Sequence, residues 1–165
     1  MSVDVIETLR LRLRPLKHDD LDALSAITSD PSVMTFVGDG APLSRASTAE
    51  WIANAARSLP ETGFGSRAVV HCDTDSLIGW AGLVWRTDEA LVELIYGFGR
   101  QYWGQGFATE AARALVEANP TLAIDATIDP SNAASRRILD KLAFAEVATE
   151  LDEDGLPTLR LRRSR

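Results

Sequence analysis

The sequence predicts an α+β fold in which a single domain covers residues 1–165. A chain of 165 residues suits one domain, because most domains contain about 100–200 residues. The hydrophobic pattern changes many times between the period of two of a strand and the longer repeat of a helix, which favours one domain of mixed elements. A long meander of strands precedes a strand–helix–strand unit, and this order argues against a Rossmann array or an open flavodoxin-like sheet.

The first third of the chain is expected to contain one strand and two helices. Leucine and arginine alternate over residues 8–14, a period of two that is typical of a half-buried strand, and Pro15 ends it. A short helix is predicted at residues 18–28. Residues 29–43 are interpreted as a loop because they contain prolines and glycines. The next helix is expected to open on the capping-box pattern of residues 47–50 and to end within residues 60–65.

Strands dominate the middle of the chain, and helices and strands alternate after it. Strands are predicted at residues 66–71, 77–85 and 90–98. Alanines, Leu115 and Val116 then recur on one face of a helix that begins near Ala108. The remaining predicted elements are a strand at residues 122–127, a helix that starts at residues 129–131, and a hairpin of residues 144–151 and 156–161.

Composition and charge exclude several classes of protein. Hydrophobic residues make up 45% of the chain and charged residues 25%, as in globular proteins, and no apolar run approaches the roughly 20 residues of a membrane helix. Residues 1–4 lack the pattern of a secretory signal, and the single cysteine, Cys72, cannot form an internal disulfide, so we expect a cytoplasmic protein. The net charge of −7 predicts no nucleic-acid and no membrane partner and favours a cationic one.

The segment most informative about chemistry is residues 93–110, in which a strand leads through glycines into an alanine-rich helix. Gly104 and Gly106 permit positive φ angles and a close approach of a ligand to the backbone. Free amides at the start of the helix would then bind an anion such as phosphate. The spacing matches neither the P-loop nor the dinucleotide-binding pattern. On the glycines alone, an ordinary connection between strand and helix explains the segment equally well.

The complete string is more specific than its glycines. Residues 101–106 read Gln-Tyr-Trp-Gly-Gln-Gly, which resembles the Gln/Arg-x-x-Gly-x-Gly/Ala loop of the GNAT family of N-acetyltransferases. The flanking residues resemble its RimJ/RimL-like branch, which acetylates the N-termini of bacterial ribosomal proteins. Residues 9–15, and Asn132 with Ser135, resemble further parts of that branch. Two positions depart from the family pattern, because Ala143 replaces a glycine and Gly97 replaces a bulky residue.

The resemblance implies three layers, in which helices flank a mixed but mostly antiparallel central sheet. It also implies acetyl-CoA as the co-substrate and an amine as the acceptor. In such proteins the loop amides bind the pyrophosphate, and the pantetheine arm pairs with the strand before the loop. Arg100, Arg136 and Arg137 are either phosphate ligands or solvated side chains. The cofactor-binding residues implied for this chain are Tyr96, Gly97, Phe98, Gly99, Gln101, Gly104, Gln105, Gly106, Phe107, Ala108, Thr109 and Asn132.

Two residues are candidates for the proton transfers of amide formation. The resemblance places Ser135 near the thioester sulfur as the acid, and the alternative is a serine on the helix surface. Glu93 stands in an apolar strand, where burial would raise its pKa and suit it to act as the base, directly or through a water. The alternative for Glu93 is the polar face of an alternating strand. Backbone amides near Phe98 are expected to stabilise the oxyanion, and no cluster of residues suggests a metal site.

The acceptor is less constrained than the donor. We expect its pocket in residues 30–43 and at the start of the second helix, with walls formed by Met34, Phe36, Trp51, Trp80 and Trp85. The expected acceptor is a protein N-terminal α-amine or a small cationic amine. A small-molecule amine acetyltransferase, a non-catalytic acyl-CoA-binding module and a structural protein with a coincidental glycine turn are the alternatives. Both a monomer and a homodimer fit the sequence.

Overall fold

The computed structural model describes residues 5–164, and these residues form one eight-stranded sheet with helices packed on both of its faces. The expectation about residues 1–4 falls outside the described residues. The strands are β1 (Ile6–Glu7), β2 (Leu11–Pro15), β3 (Gly65–His71), β4 (Ser76–Arg86), β5 (Leu91–Phe98), β6 (Ile124–Ile128), β7 (Ala145–Leu151) and β8 (Pro157–Arg163).

The strand order across the sheet is β1-β2-β3-β4-β5-β6-β8-β7. Every neighbouring pair is antiparallel except β5 and β6, which are parallel. The strands predicted at residues 66–71, 77–85 and 90–98 therefore form a meander, as expected. The predicted α+β class, with a mixed but mostly antiparallel sheet flanked by helices, is confirmed.

Five α-helices and two short 3-10 turns complete the described residues. The helices are α1 (Leu21–Thr28), α2 (Pro31–Met34), α3 (Arg45–Thr62), α4 (Phe107–Glu117) and α5 (Ala133–Lys141). The 3-10 turns are His18–Asp20, directly before α1, and Arg100–Tyr102, between β5 and α4.

Several helix ends differ from the prediction for identifiable reasons. Helix α3 begins at Arg45, because the Ser44 hydroxyl accepts a hydrogen bond from the Ser47 amide at 3.1 Å and caps the helix before the predicted box. The other end of α3 confirms the prediction, because the helix ends at Thr62, before Gly63 with φ of 79°, and so within residues 60–65.

Two further differences between the predicted and observed helices also arise from side-chain caps. The predicted loop contains the single turn α2, since Asp30 accepts from the Ser32 amide and Pro31 suits the first helical position. Helix α5 begins after Asn132 rather than at residues 129–131, because the Asn132 side chain is the cap that is used.

The sheet separates two hydrophobic cores. Along β3, Val69 points into the core beneath α4 and α5, whereas Ala68 and Val70 point into the core beneath α1 and α3. This alternation follows from the two-residue period of a strand. The first core includes Leu11, Leu13, Leu115 and Leu139, and the second includes Leu24, Ile52 and Trp80.

A wedge opens in the sheet where β5 and β6 separate. These two strands pair only at Val92 with Ile124 and at Glu93 with Asp125. By contrast, β5 stays paired with β4 along its whole length, from Leu91 to Phe98. Residues 94–98 therefore present one strand edge that pairs with no other described strand, and the residues that follow β5 lead directly to α4.

Candidate active site

A cavity of about 700 Å³ occupies this wedge. Its walls come from β5, β6, the start of α4, the first turns of α5 and the segment around α2. Both predicted catalytic residues, Glu93 and Ser135, line it. The predicted cofactor-binding residues that line it are Tyr96, Gly97, Phe98, Gly104, Gly106, Phe107, Ala108, Thr109 and Asn132.

The glycine loop closes one end of the cavity. Gly104 and Gly106 have φ angles of 73° and 82°, in the left-handed region that favours glycine. Gly106 is also the N-cap of α4 and offers no side chain to cap the first amides of the helix. These amides and the positive end of the helix dipole are suited to bind a phosphate group.

Three predicted residues, Gly99, Gln101 and Gln105, are outside the cavity lining. The Gln105 side chain donates to the Gln101 carbonyl at 2.9 Å, within the loop. The Gly99 amide donates to the Ile78 carbonyl of β4 at 3.0 Å, which fixes the end of β5. Their part in cofactor binding stays a prediction.

The backbone of Phe98 faces the wedge. Backbone groups of successive strand residues point to opposite edges, so the bond from Gly99 to β4 directs the amide and carbonyl of Phe98 away from β4. The Phe98 carbonyl accepts the Trp103 indole N–H at 2.8 Å, which leaves the Phe98 amide directed at the cavity. This geometry agrees with the predicted position of an oxyanion donor.

A brace between β1–β2 and α4 holds the glycine loop from behind. Glu110 accepts hydrogen bonds from the Thr8 hydroxyl at 2.6 Å and from the Arg10 side chain at 2.7 Å. Arg10 also donates to the Gln105 carbonyl at 3.0 Å and stacks on Phe107, 4.3 Å from the ring centroid. Burial alone would raise the pKa of Glu110, but the hydrogen bonds from Thr8 and Arg10 hold that pKa below its usual value.

Sequence reasoning missed the role of Arg10, which we predicted to lie on the solvated face of a strand. The alternation of leucine and arginine located the strand, but β2 begins at Leu11 rather than at residue 8 and includes Pro15, and Leu9 is exposed. No local pattern indicates, moreover, that one arginine of the alternation meets a carboxylate one hundred residues away. Glu110 stands in the first turn of α4, where the helix dipole also favours a carboxylate.

Glu93 is buried in the middle of β5, with 8% of its surface exposed. Its carboxylate accepts a hydrogen bond from the Arg86 guanidinium at 2.8 Å. The interpretation of Glu93 as part of a solvated strand face is therefore wrong, and its ion pair with Arg86 was not foreseen. Burial tends to lower the pKa of Arg86, but the charges of Glu93, Asp88 and Glu89 outweigh it and raise that pKa.

Ser135 and Asn132 meet in the first turn of α5. The Asn132 side-chain oxygen accepts from the Ser135 amide at 3.1 Å, so it caps the helix. Asn132 retains its side-chain N–H groups for a ligand. The cap accounts for the spacing, since the side chain of an N-cap residue accepts from the amide three residues later.

Tyr96 lies across the cavity from α5. Its hydroxyl is buried and has no hydrogen bond of good geometry among the described residues. Ser135 is a polar neighbour of this hydroxyl, and both residues line the cavity. Burial raises the pKa of Tyr96, and the Ser135 hydroxyl offsets part of this rise.

The three candidate arginines differ in their partners. Arg137 lines the cavity. Arg136 instead pairs with Asp140 at 3.0 Å and Glu146 at 3.1 Å on the outer side of α5, which favours the solvated alternative for this residue. Arg100 lies within 3.4 Å of the Ser32 hydroxyl and is not part of the cavity wall.

An aromatic wall closes the other end of the cavity. Trp51 and Trp80 pack edge to face with centroids 5.1 Å apart, and Phe36 lies beside them in the lining. The Trp51 indole N–H is anchored on the Ser66 hydroxyl at 3.1 Å. Two other predicted wall residues are elsewhere: Met34 is buried in the second core, and Trp85 is half exposed and packs on Phe64.

Among residues 5–164, no three His, Cys, Asp or Glu side chains are grouped so as to hold a metal ion. No helix in this part of the chain has the length and apolar character needed to cross a membrane.

Comparison with known proteins identifies the family of the chain. Residues 10–145 match the Acetyltransferase (GNAT) domain. The chain belongs to the GNAT acetyltransferase family. It is therefore an acyltransferase of the N-acetyltransferase type, and the non-catalytic and structural alternatives are no longer needed.

Individual relatives agree with this GNAT assignment. An uncharacterized N-acetyltransferase, p20, of Bacillus licheniformis is 30% identical over 148 residues, which cover 86% of this chain and 83% of p20. FsC-acetyl coenzyme A-N(2)-transacetylase of Aspergillus fumigatus is 30% identical over 171 residues, covering 92% of this chain and 69% of that protein.

A solved structure extends the likeness to the expected branch. The ribosomal L7/L12 α-N-protein acetyltransferase RimL, solved in complex with coenzyme A, superposes with a TM-score of 0.80 at 13% identity, and 98% of each chain is covered. The expected resemblance to the RimJ/RimL-like branch is thus confirmed at the level of the fold.

Proposed function

We propose that this GNAT protein transfers the acetyl group of acetyl-CoA to a primary amine, and that its preferred acceptor is the α-amine of a protein N-terminus. The observation that carries the proposal is the convergence of the glycine loop, the unpaired edge of β5, Glu93 and Ser135 on one cavity. Residues 1–165 would act as one N-acetyltransferase domain.

The cavity fits acetyl-CoA as the co-substrate. Gly104 and Gly106 expose backbone amides at the start of α4, where the pyrophosphate would bind. Residues 94–98 offer a strand edge to the amide groups of the pantetheine arm, and the Asn132 side chain keeps its N–H groups as donors.

Glu93 would receive the proton of the incoming amine, directly or through a water. An α-amine has a pKa of about 7.7–8.0, so roughly a tenth of it is neutral at pH 7, whereas a lysine side chain has a pKa of about 10.4. A weak base is therefore sufficient for an α-amine. The hydrogen bond from Arg86 holds the Glu93 carboxylate in a fixed position at the cavity wall.

Phe98 and Ser135 would stabilise the negative charges that develop on the carbonyl oxygen and on the leaving sulfur. The Phe98 amide faces the wedge and would donate to the carbonyl oxygen as negative charge develops on it. Ser135 would donate to the sulfur that leaves. Both groups are fixed by neighbouring hydrogen bonds, so little reorganisation is needed during the reaction.

A small cationic amine is the second candidate acceptor. Trp51, Trp80 and Phe36 close the acceptor end of the cavity with aromatic surface, which suits a compact molecule with an apolar part. The Aspergillus relative, named FsC-acetyl coenzyme A-N(2)-transacetylase, is not named for a ribosomal acceptor.

Acetyl transfer to matched acceptors tests the proposal. Wild-type protein and acetyl-CoA are incubated with peptides that have a free α-amine, with the same peptides N-formylated, and with a panel of small amines. Product mass and released CoA are measured. Faster transfer to the free peptides than to the small amines supports the N-terminal acceptor, and the reverse order supports the small-molecule alternative.

A thermal melt tests the co-substrate separately. At 100 times its Kd a ligand stabilises a protein by about 2.7 kcal/mol, which for this chain length is a shift on the order of 5–10 °C. We expect the shift with acetyl-CoA and CoA and not with ATP or NADH. An equal shift with ATP, or the lack of one with CoA, would contradict the proposal.

A further inference from the structure

The Tyr96 hydroxyl is a polar group without an evident structural purpose. It is buried, and among the described residues it has no hydrogen bond of good geometry. Buried polar groups are nearly always paired, because leaving one unpaired costs stability. A phenylalanine would fill the same space without that cost, so the hydroxyl calls for a functional explanation.

The position of Tyr96 suggests what the hydroxyl does. Tyr96 lies on the part of β5 that has left β6, and its side chain lines the cavity together with Ser135. Its hydroxyl neighbours the Ser135 hydroxyl. The cap from Asn132 fixes the Ser135 backbone at the start of α5, in the wall of the same cavity.

We propose that Tyr96 is a positioning residue for Ser135: its hydroxyl donates a hydrogen bond to the Ser135 oxygen and thereby directs the Ser135 proton at the leaving sulfur. A serine hydroxyl has one proton and two lone pairs, so it accepts from Tyr96 and donates to sulfur at the same time. Hydrogen bonds in such a chain strengthen each other. This inference rests on the proposed acetyl transfer.

The chemical step balances without any further reactant. The amine nitrogen bonds to the carbonyl carbon and loses one proton to Glu93 or to water. The carbon–sulfur bond breaks with its electron pair on sulfur, and sulfur gains one proton, so the products are the amide and the CoA thiol. Tyr96 keeps its own proton, which agrees with its raised pKa, and any proton that Ser135 gives is replaced from solvent.

Kinetics of hydroxyl deletions test the proposal. We expect Tyr96→Phe to lower kcat on the order of tenfold, the typical value of one hydrogen bond, with little change in the KM of acetyl-CoA. The double variant with Ser135→Ala should be no slower than Ser135→Ala alone, because Tyr96 acts through Ser135. Unchanged kcat in Tyr96→Phe, or losses that multiply in the double variant, would overturn the inference.

A stability control distinguishes this role from a structural one. The contact between the Tyr96 and Ser135 hydroxyls has poor geometry in the described structure, so its loss in Tyr96→Phe should change the melting temperature little. Thr48→Val removes a buried hydroxyl in the other core, where it is paired with Thr28 at 2.8 Å. It should lower the melting temperature and leave kcat unchanged. A lower melting temperature in Tyr96→Phe would indicate a structural role instead.

A spectroscopic titration tests the contact without any turnover. The chain has two tyrosines, so in a Tyr102→Phe background the ultraviolet signal of tyrosine ionisation reports Tyr96 alone. Because the Ser135 hydroxyl lowers the pKa of Tyr96, Ser135→Ala should raise that pKa further. An unchanged pKa of Tyr96 in the Ser135→Ala variant would contradict the contact between the two hydroxyls. Failure of the proposed function would instead appear as a wild-type protein that transfers no acetyl group to any amine.

Discussion

Trp80 on β4 stands directly opposite Gly97 on β5, and its indole occupies the space that a side chain at position 97 would need. A Cβ atom at Gly97 would lie 2.2 Å from the Trp80 ring, far inside contact distance. Trp80 is also almost fully buried and lines the cavity. The departure from the family pattern at Gly97 is thus explained, because a ring from the neighbouring strand fills the space of a larger side chain.

Gly97→Ala should therefore destabilise the protein through overpacking, by about 1–3 kcal/mol in the free energy of unfolding. Trp80→Phe shortens the ring that the new methyl group meets, so the double variant should lose less stability than the two single losses combined. Chemical denaturation of the four proteins measures this coupling. Strictly additive losses would show that the two positions do not compete for space.

The brace from Arg10 to Glu110 leads to a prediction about donor binding. Arg10→Ala removes the hydrogen bonds to Glu110 and to the Gln105 carbonyl and the contact with Phe107. The glycine loop should then be less ordered, and the KM of acetyl-CoA should rise several-fold while kcat changes little. Arg12→Ala is the control, because it removes an exposed ion pair with Asp75 from the strand that directly follows Arg10. Equal effects of both substitutions would contradict a specific brace.

The sequence predicted the strands and the donor loop well because these features are local. Alternation of leucine and arginine located β2, and the spacing of Ala108, Ala111 and Leu115 located α4. Helix ends were less predictable, since Ser44, Asp30 and Asn132 compete with neighbouring serines and prolines as caps, and only packing decides among them.

Contacts between distant segments could not be predicted at all. The partners of Glu93 and Glu110 are Arg86 and Arg10, and each contact depends on strand register or on helix packing rather than on nearby sequence. The same is true of the Trp80 ring above Gly97. The resemblance to a family supplied the positions of the candidate site residues, but it could not supply these supporting contacts.

Acid sensitivity should depend strongly on Asp20. Its carboxylate is buried and accepts two hydrogen bonds from Arg14, at 2.7 and 2.8 Å. Burial would raise the pKa of Asp20, but the bonds from Arg14 and the Lys17 amide outweigh it and lower that pKa below the ordinary value. A lowered folded-state pKa gives stability that is complete above the unfolded value of about 3.9 and is lost as pH falls towards the folded one.

Asp20→Asn should accordingly lower the free energy of unfolding by about 1–3 kcal/mol at neutral pH and flatten its decline below about pH 5. Denaturation at a series of pH values between neutral and acid gives this slope. Asp19→Asn is the matched control, because Asp19 is an exposed neighbour without an ion pair in the described part of the chain. The same pH slope in wild type and Asp20→Asn would show that other groups control acid unfolding.

Glu93→Gln should slow acetyl transfer in a manner that depends on pH. Without the carboxylate, only acceptor molecules that are already neutral can react, so kcat/KM should fall by roughly tenfold at pH 7 and recover as pH rises through the amine pKa of about 8. Glu146→Gln is the control, since Glu146 pairs with Arg136 on the outer side of α5, away from the cavity lining. The loss of a base should matter less at high pH, where the amine is already neutral. A decrease in kcat/KM of the same size at every pH would therefore assign Glu93 to binding or structure.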